Sequence, residues 1–172
     1  MKMLRQLLIG VTPLLLLGVG CGSETPIRDQ SGATIGTITV DGLSELRTLV
    51  TVDITKAPPG EHGLHLHTTG RCEGDFTSAG GHFNPSNTLH GDPDLPVHHA
   101  GDLGNISIGP DGKGRVTITT TLLSLNPSAI NSAIDRAVIL HANRDDLTTG
   151  PAPASPNYTG NSGARIGCGI VR

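Results

Sequence analysis

Aromatic side chains are nearly absent from this chain of 172 residues, which has two phenylalanines, one tyrosine and no tryptophan. A hydrophobic core must therefore be built from Val, Ile and Leu, helped by covalent or metal cross-links. Once an N-terminal leader is set aside, roughly 140 to 150 residues remain, which is the usual size of a domain with a single core. The sequence therefore predicts one domain, over residues 32–172.

Long basic runs are also missing, and the formal net charge is -3. A nucleic acid or an anionic membrane surface is therefore a poor match as the partner, because both attract extended positive patches. Any positive field must be local. Glycine and proline are plentiful, with 24 and 12 residues, and they indicate many turns.

No apolar run is long enough to cross a bilayer comfortably, since a spanning helix needs about 20 apolar residues. The N-terminus instead has the features of an export signal, with Lys2 and Arg5 ahead of an apolar stretch over residues 7–20. We therefore expect residues 1–20 to be a signal peptide and the mature protein to function outside the cytoplasm, in the periplasm or at the cell surface.

The end of that signal resembles a bacterial lipoprotein cleavage site, because the small residues Gly18, Val19 and Gly20 precede Cys21. This resemblance implies a lipid on Cys21 and attachment to a membrane, with residues 21–31 as the lipidated N-terminus and a polar tether. The alternative is ordinary signal cleavage nearby.

Short extended segments separated by turn residues make up most of the remaining chain. In residues 46–54, Val50, Val52 and Ile54 alternate with polar residues, as a half-buried strand requires. Strands are predicted over residues 34–40, 46–54, 63–67, 105–108, 115–120, 137–141 and 166–171. Such a pattern is typical of an all-β antiparallel sandwich or barrel.

Two connections have features of their own. The run Pro110, Asp111, Gly112 predicts a hairpin turn between two strands. Residues 127–137 have helical spacing of apolar residues, and we expect a long connection there with one helical turn.

All eight histidines lie between His62 and His141. Side chains on a strand alternate between faces, so His65 and His67 project to one side and Leu64 and Leu66 to the other. A single histidine on a strand is more often a hydrogen-bonded core residue than a metal ligand. Six histidines spaced together with Asp102 instead predict two metal sites.

The order of these residues resembles that of the copper/zinc superoxide dismutase family. The resemblance implies an eight-stranded antiparallel Greek-key β-barrel with two long functional loops, a metal-binding loop over residues 68–102 and an electrostatic loop over residues 142–165. It also implies a copper ion and a zinc ion with a shared ligand. The implied copper ligands are His65, His67, His82 and His141, and the implied zinc ligands are His82, His90, His99 and Asp102.

The same resemblance implies roles for residues around the metals. Asp145 takes the place of a carboxylate that links His65 to His90 and orients both rings. Arg165 takes the place of an arginine that docks the superoxide anion, and His82, as the bridge, carries a proton. His62 resembles a residue that braces the active loop. Tyr158 stands where eukaryotic members have a lysine that attracts the substrate, so we expect a smaller salt dependence.

A disulfide between Cys72 and Cys168 is also implied by the resemblance. The cysteine count agrees with it, because a lipid on Cys21 leaves these two as a pair. The bond would join the loop that follows His67 to the last strand.

The function that the sequence predicts is the disproportionation of superoxide to dioxygen and hydrogen peroxide. A metal-binding lipoprotein without catalytic activity is the leading alternative, because a fold alone does not determine activity. A structural adhesin would leave the whole ligand array without a role. A homodimer is compatible with the sequence, which shows no distinctive apolar interface stripe.

Overall fold

Eight β-strands form nearly all the regular structure in the computed structural model, which describes residues 22–44, 46–151 and 154–172. A 3-10 helix at Thr77–Ala79 is the other element. In these ranges no helix is long and apolar enough to cross a membrane. The predicted signal peptide and Cys21 lie outside the described residues. The strands are β1 (Thr25–Arg28), β2 (Thr34–Ser44), β3 (Arg47–Ile54), β4 (Gly60–His67), β5 (Asp102–Ile108), β6 (Gly114–Thr120), β7 (Ala137–His141) and β8 (Arg165–Ile170).

The strands form one antiparallel sheet in the order β5-β4-β7-β8-β1-β2-β3-β6. A tight hairpin joins β5 to β6, the two outer strands, and brings them into contact, so the sheet is a nearly closed barrel. The hairpin contains the predicted turn, and Gly112 has the positive φ of 77° that suits glycine there. The predicted all-β antiparallel barrel is confirmed.

The barrel interior is filled by the alternating residues that the sequence pattern predicted. Along β3, Val50, Val52 and Ile54 are buried while Thr51 and Asp53 are partly exposed. Val and Ile suit this position because branched side chains pack well on a pleated surface. Aliphatic residues therefore build the core, in keeping with the shortage of aromatic residues.

Strand β4 differs because both of its faces are buried. Leu64 and Leu66 belong to the barrel core, whereas His65 and His67 point to the outer side, where loops cover them. This arrangement confirms the predicted alternation. The outer face of β4 is therefore the place where the fold can build a polar site away from water.

A second apolar cluster lies outside the barrel core, between the first loop and strands β7 and β8. It contains Phe76, Ala79 and Ile139 together with Cys168. The predicted disulfide is confirmed: Cys72 and Cys168 are bonded, with Cα atoms 5.8 Å apart. Disulfide and cluster together hold the loop after β4 against the last strand.

The N-terminal tether was predicted wrongly in part. Thr25–Arg28 forms strand β1, which pairs with β2 and, through Arg28 and Cys168, with β8. Ile27 is 0% exposed, so this short segment contributes to the core. Only four residues of this strand alternate between buried and exposed positions, and polar residues flank them. The sequence pattern was therefore too short to predict the strand.

The connection between β6 and β7 contains turns but no helical element. Its serine and asparagine side chains bond to nearby backbone amides, as Asn126 does to Ser128 N and Ser132 to Ile134 N. Such local bonds compete with helix formation. The helical turn expected from the apolar spacing is therefore replaced by irregular backbone.

Candidate metal centre

Four buried histidines form one cluster on the outer face of β4 and β7. They are His65, His67, His82 and His141, and each offers a ring nitrogen within 4.8 Å of the others. Antiparallel pairing of β4 with β7 brings three of them together. The fourth, His82, is held beside His67 because Phe83 N donates to Leu66 O at 2.8 Å and Thr68 N to Gly81 O at 3.0 Å.

A second cluster shares His82 with the first. It consists of His82, His90, His99 and Asp102, again with ligand atoms within 4.8 Å. Asp102 Oδ1 lies 2.9 Å from His82 Nδ1 and 3.1 Å from His99 Nδ1. The backbone amide of His99 donates to Asp102 Oδ2 at 2.8 Å, which orients the carboxylate.

Four ring nitrogens in these clusters are buried and find no hydrogen-bond partner among the described residues. They are His65 Nδ1, His82 Nε2, His90 Nδ1 and His99 Nε2. Buried polar atoms without partners are rare in native proteins and call for an explanation. For His65 Nδ1, His82 Nε2 and His90 Nδ1 a bound metal supplies one, because a neutral imidazole offers an unprotonated nitrogen to a cation. His99 differs, because its Nδ1 faces Asp102 Oδ1 at 3.1 Å and its Nε2 is therefore on the far side of the ring.

The contact between His90 and Asp102 supports the same conclusion. His90 Nδ1 lies 3.0 Å from Asp102 Oδ2 but lacks the geometry of a hydrogen bond. Ligand atoms around a tetrahedral zinc ion, each about 2.0 Å from the metal, lie about 3.3 Å apart. The separation therefore fits two ligands of one ion.

The ring nitrogens that face away from the clusters are fixed by the protein. His67 Nδ1 donates to Gly80 O at 2.8 Å, and His141 Nδ1 to Gly163 O at 3.1 Å. The opposite nitrogens of these two rings lie 3.4 Å apart. Bonds of this kind set the tautomer and the orientation of a metal-binding histidine.

Asp145 lies between the two clusters. Its Oδ2 is 2.6 Å from His65 Nε2 and its Oδ1 is 3.0 Å from His90 Nε2. Gly160 packs against this carboxylate with a φ of 70°, and a Cβ there would lie 2.0 Å from Asp145 Oδ1. Asn105 also holds the segment, since it donates to Asp145 O at 3.0 Å and accepts from Asp145 N at 2.7 Å.

Arg165 is held rigidly beside the four-histidine cluster. It donates to Phe76 O and to Gly80 O, both at 2.6 Å. The Gly80 carbonyl also accepts from His67, so the arginine and this histidine share one acceptor. The guanidinium is partly buried and has no carboxylate among its hydrogen-bond partners in the described residues, which leaves its charge available to an anion.

Comparison with known proteins decides the family. Residues 34–171 match the family model described as copper/zinc superoxide dismutase. The chain is 40% identical over 150 residues to Superoxide dismutase (Cu-Zn) 2 of Brassica juncea, an alignment that covers 87% of this chain and 97% of that one. The chain belongs to the copper/zinc superoxide dismutase family. The metals of this family are copper and zinc, and the two clusters fit them.

Solved structures agree with this assignment. A SOD-like protein from Bacillus subtilis superimposes with a TM-score of 0.76 and 34% identity, covering 89% of this chain and 100% of that chain. The clock protein EA4 superimposes with a TM-score of 0.74 and 34% identity, covering 86% of this chain and 91% of that one. Proteins described as SOD-like and as a clock protein therefore share this barrel.

His62 and His98 lie beside the clusters and belong to neither in the described chain. The two ring nitrogens of His62 lie 2.8 Å from His141 O and 2.8 Å from Pro58 O, so this ring links the end of β7 to the loop before β4. His98 Nδ1 bonds to His99 O at 2.7 Å in a partly exposed position. His99, rather than its neighbour His98, therefore belongs to the cluster with Asp102.

Two residues at the site were missed by sequence reasoning. Asn105 was placed on a predicted strand, and nothing in its neighbourhood signals that it bonds to a loop 40 residues away. Gly160 was noted only as part of the second loop. Its close approach to Asp145 depends on the folded path of that loop, which no local pattern encodes.

In the metal-free protein, burial lowers the pKa of some cluster histidines, whereas contacts with Asp102 and Asp145 raise the pKa of His90. Burial lowers the pKa of His65 to about 3 and that of His141 to about 4. For His90 burial also acts downward, but the contacts with Asp102 and Asp145 outweigh it and raise the pKa to about 9. Both carboxyl groups have pKa values lowered by their histidine neighbours, despite burial.

The metal-free protein is expected to lose stability between pH 6.5 and pH 4. His65 and His141 stay neutral when folded but bind protons near pH 6.5 when unfolded, so acidification favours the unfolded chain. Each contributes at most about 1.4 kcal/mol per pH unit in this window. His90 acts oppositely, since its contribution is full below pH 6.5 and is lost as the pH rises through about 9.

Urea unfolding of the metal-free protein at pH 7.0, 6.0 and 5.0 measures this effect. The midpoint should fall at each step. A midpoint that is constant or rises toward pH 5.0 would contradict the burial of neutral histidines in the metal-free state.

Proposed function

We propose that this protein is a superoxide dismutase that converts two superoxide anions to dioxygen and hydrogen peroxide. The observation that carries the proposal is the pair of buried clusters that share His82, next to the partly buried guanidinium of Arg165. A metal-storage protein needs ligands but has no need of a fixed cation beside them. The intact ligand set and the arginine together favour catalysis.

The copper site in this proposal is the four-histidine cluster, and the zinc site is the cluster with Asp102. Three neutral imidazoles and one carboxylate suit a closed tetrahedral zinc site. Imidazoles alone suit copper in both of its oxidation states. His82 would be a ligand of both metals, as an imidazolate. In support, its Nδ1 faces Asp102, and its Nε2 on the other side of the ring has no partner among the described residues.

Each side chain has a defined task in the reaction. When bound, copper supplies one-electron redox chemistry, and zinc supplies positive charge beside the bridging ring. Arg165 binds superoxide by charge-assisted hydrogen bonds and orients it. His82 would hold one proton at Nε2 and deliver it to the reduced oxygen species, and water would supply the second proton of hydrogen peroxide. Asp145 keeps His65 and His90 in their ligating orientation, and His62 fixes the backbone of His141.

A metal-handling protein without dismutase activity is the second candidate function. The observation in its favour is that proteins described as SOD-like and as a clock protein share this barrel at 34% identity. Such a protein would bind copper or zinc for storage or transfer. The dismutase and the metal-handling protein would bind the same metals, and they would differ in whether they turn over superoxide.

The deciding experiment measures superoxide consumption by residues 22–172 loaded with one copper and one zinc, beside an equal amount of free copper. Turnover well above free copper is expected from the dismutase. Tight binding of both metals with turnover no higher than free copper would reject the dismutase and support the metal-handling protein.

We further propose that the protein is exported and carries a lipid on Cys21. The basic residues Lys2 and Arg5, the apolar stretch over residues 7–20 and the small residues before Cys21 support this. A disulfide between Cys72 and Cys168 also agrees with an oxidising compartment. Mass spectrometry of the mature N-terminus tests the proposal: a diacylated Cys21 is expected, and an unmodified N-terminus elsewhere would reject it.

Tyr158 is expected to slow the release of zinc. Its ring lies 5.7 Å from the His90 ring, and its hydroxyl donates to Asp146, the neighbour of Asp145. Asn161 bonds to both partners, at 2.8 Å to the tyrosine oxygen and 3.0 Å to Asp146 Oδ2. These bonds close the second loop over His90.

Removing the hydroxyl with Tyr158→Phe should speed zinc transfer to a chelator by roughly 10-fold, since outer contacts of ligands tune metal affinity by about 10-fold to 100-fold. Copper release should change little, because the copper ligands lie on the other side of His82. Equal zinc release from the variant and the wild type would show that this closure is unimportant.

A further inference from the structure

Four exposed apolar side chains lie at one end of the barrel, and we call them the leucine face. Leu43 is 45% exposed, Leu46 77%, Leu122 36% and Ile130 80%. Single exposed apolar residues are ordinary on soluble proteins, but a group of them at one place marks an interaction surface.

The barrel brings these residues together from two connections. Leu43 and Leu46 flank the turn between β2 and β3, and pairing of Thr48 with Thr120 places the end of β6 beside that turn. Thr48 Oγ1 donates to Leu123 O at 2.9 Å, which draws in the segment after β6. Asn131 Nδ2 then donates to Leu122 O at 3.2 Å, and so Ile130 lies next to Leu122.

The described chain also begins at this end of the barrel. Gly22 N donates to Asp41 Oδ1 at 2.5 Å, two residues before Leu43. Gly22 packs directly against the backbone of β2, where a Cβ on this glycine would lie 2.0 Å from Val40 O. Gly22, which follows Cys21 in the sequence, therefore lies beside the leucine face.

We propose that the leucine face rests on the surface of the lipid bilayer to which Cys21 is anchored. This inference rests on the proposed lipidation, which fixes the bilayer beside Gly22. The acyl chains on Cys21 would hold the N-terminus at the bilayer, and apolar side chains entering the interface would add binding at the same place and fix the barrel's orientation. No basic cluster is needed, because the contact is apolar.

This contact also orients the catalytic site. Ser23 Oγ reaches Arg172 O, just beyond the end of β8, whereas Arg165 begins the same strand. Six strand residues span about 20 Å, so Arg165 lies toward the end of the barrel remote from the bilayer. The docked protein therefore presents its anion-binding arginine to the aqueous side.

The test uses the metal-loaded mature chain beginning at Cys21. Because Cys72 and Cys168 are bonded to each other, Cys21 is the one free thiol, and a myristoyl-length chain can be coupled to it chemically. Partition into neutral phosphatidylcholine vesicles is then measured by co-sedimentation. The double variant Leu46→Ser/Ile130→Ser should partition on the order of 10-fold more weakly than the wild type.

Val97→Ser is the matched control, since Val97 is 52% exposed in the metal-binding loop, outside the leucine face. It should partition like the wild type. Equal partition of the double variant and the wild type would overturn the proposal. So would self-association of the uncoupled wild type that the double variant loses, because the face would then join two copies of the chain.

Because the acyl chain is attached to Cys21 chemically, this experiment does not depend on whether cells lipidate Cys21 or on whether the protein is a dismutase. If cells do not lipidate Cys21, the vesicle result still reports whether the face binds lipid. Superoxide turnover of the double variant should equal that of the wild type, because neither substituted residue touches the metal centre.

Discussion

Arg165→Ala is expected to lower kcat/KM for superoxide by roughly 10-fold to 100-fold while both metals stay bound. A hydrogen bond to a charged group contributes about 1.5 to 3 kcal/mol, and each 1.36 kcal/mol is a factor of 10 in rate. The guanidinium is fixed by two backbone carbonyls, so it needs little reorganisation when the anion binds. Pulse radiolysis at low ionic strength gives the rate, and elemental analysis gives the metal content.

Two further variants make this experiment specific. Arg115→Ala is the matched control, because Arg115 is an exposed arginine paired with Asp53 at 2.7 Å on the β3–β6 part of the barrel. It should leave the rate unchanged. Arg165→Lys keeps the positive charge but loses the planar guanidinium with its paired N–H donors. Its rate should lie between those of Arg165→Ala and the wild type. An Arg165→Ala protein as fast as the wild type would remove the arginine from the mechanism.

Loss of the disulfide is expected to destabilise the metal-free protein by about 4.7 kcal/mol in the chain-entropy model. The two cysteines are 96 residues apart, so the bond closes a loop of about two thirds of the domain in the unfolded chain. The melting temperature should fall by roughly 10 to 20 °C. Calorimetry of the double variant Cys72→Ser/Cys168→Ala beside the oxidised wild type measures the difference, and the reduced wild type should behave like the variant.

The same variant should also turn over superoxide more slowly. The carbonyl groups of Phe76 and Gly80 hold Arg165, and both residues lie in the loop that the disulfide fixes to β8. Freeing that loop weakens the position of the arginine. Unchanged turnover with a lowered melting temperature would limit the disulfide to stability.

The ligand clusters could be predicted from sequence because strand alternation is a local property. His65 and His67 share a face for the same reason that Leu64 and Leu66 share the other, and this follows from the period of a strand alone. Of the other cluster residues, His82, His90 and His99 lie in the first loop, whereas Asp102 begins β5 and His141 ends β7. Their grouping was predicted from the resemblance to the family. The structure brings all seven side chains into two adjoining clusters.

The parts that sequence did not reveal depend on contacts between distant segments. Strand β1 is only four residues long and is stabilised by pairing with β2 and β8. Asn105 and Gly160 matter because the second loop folds back over Asp145. Tyr158 stands where eukaryotic members of the family have a lysine, and only the structure shows that its hydroxyl donates to Asp146. None of these contacts has a local signature.

The most direct test of a dismutase is its product stoichiometry. The copper- and zinc-loaded chain, residues 22–172, is given a pulse of superoxide in large excess with no electron donor, and hydrogen peroxide and dioxygen are both quantified. Disproportionation yields one peroxide and one dioxygen for every two superoxide anions, with many turnovers per protein. Superoxide also disproportionates without a catalyst, so the same pulse in buffer alone is the control. Superoxide loss no faster than in that control, or peroxide without matching dioxygen, would contradict the account.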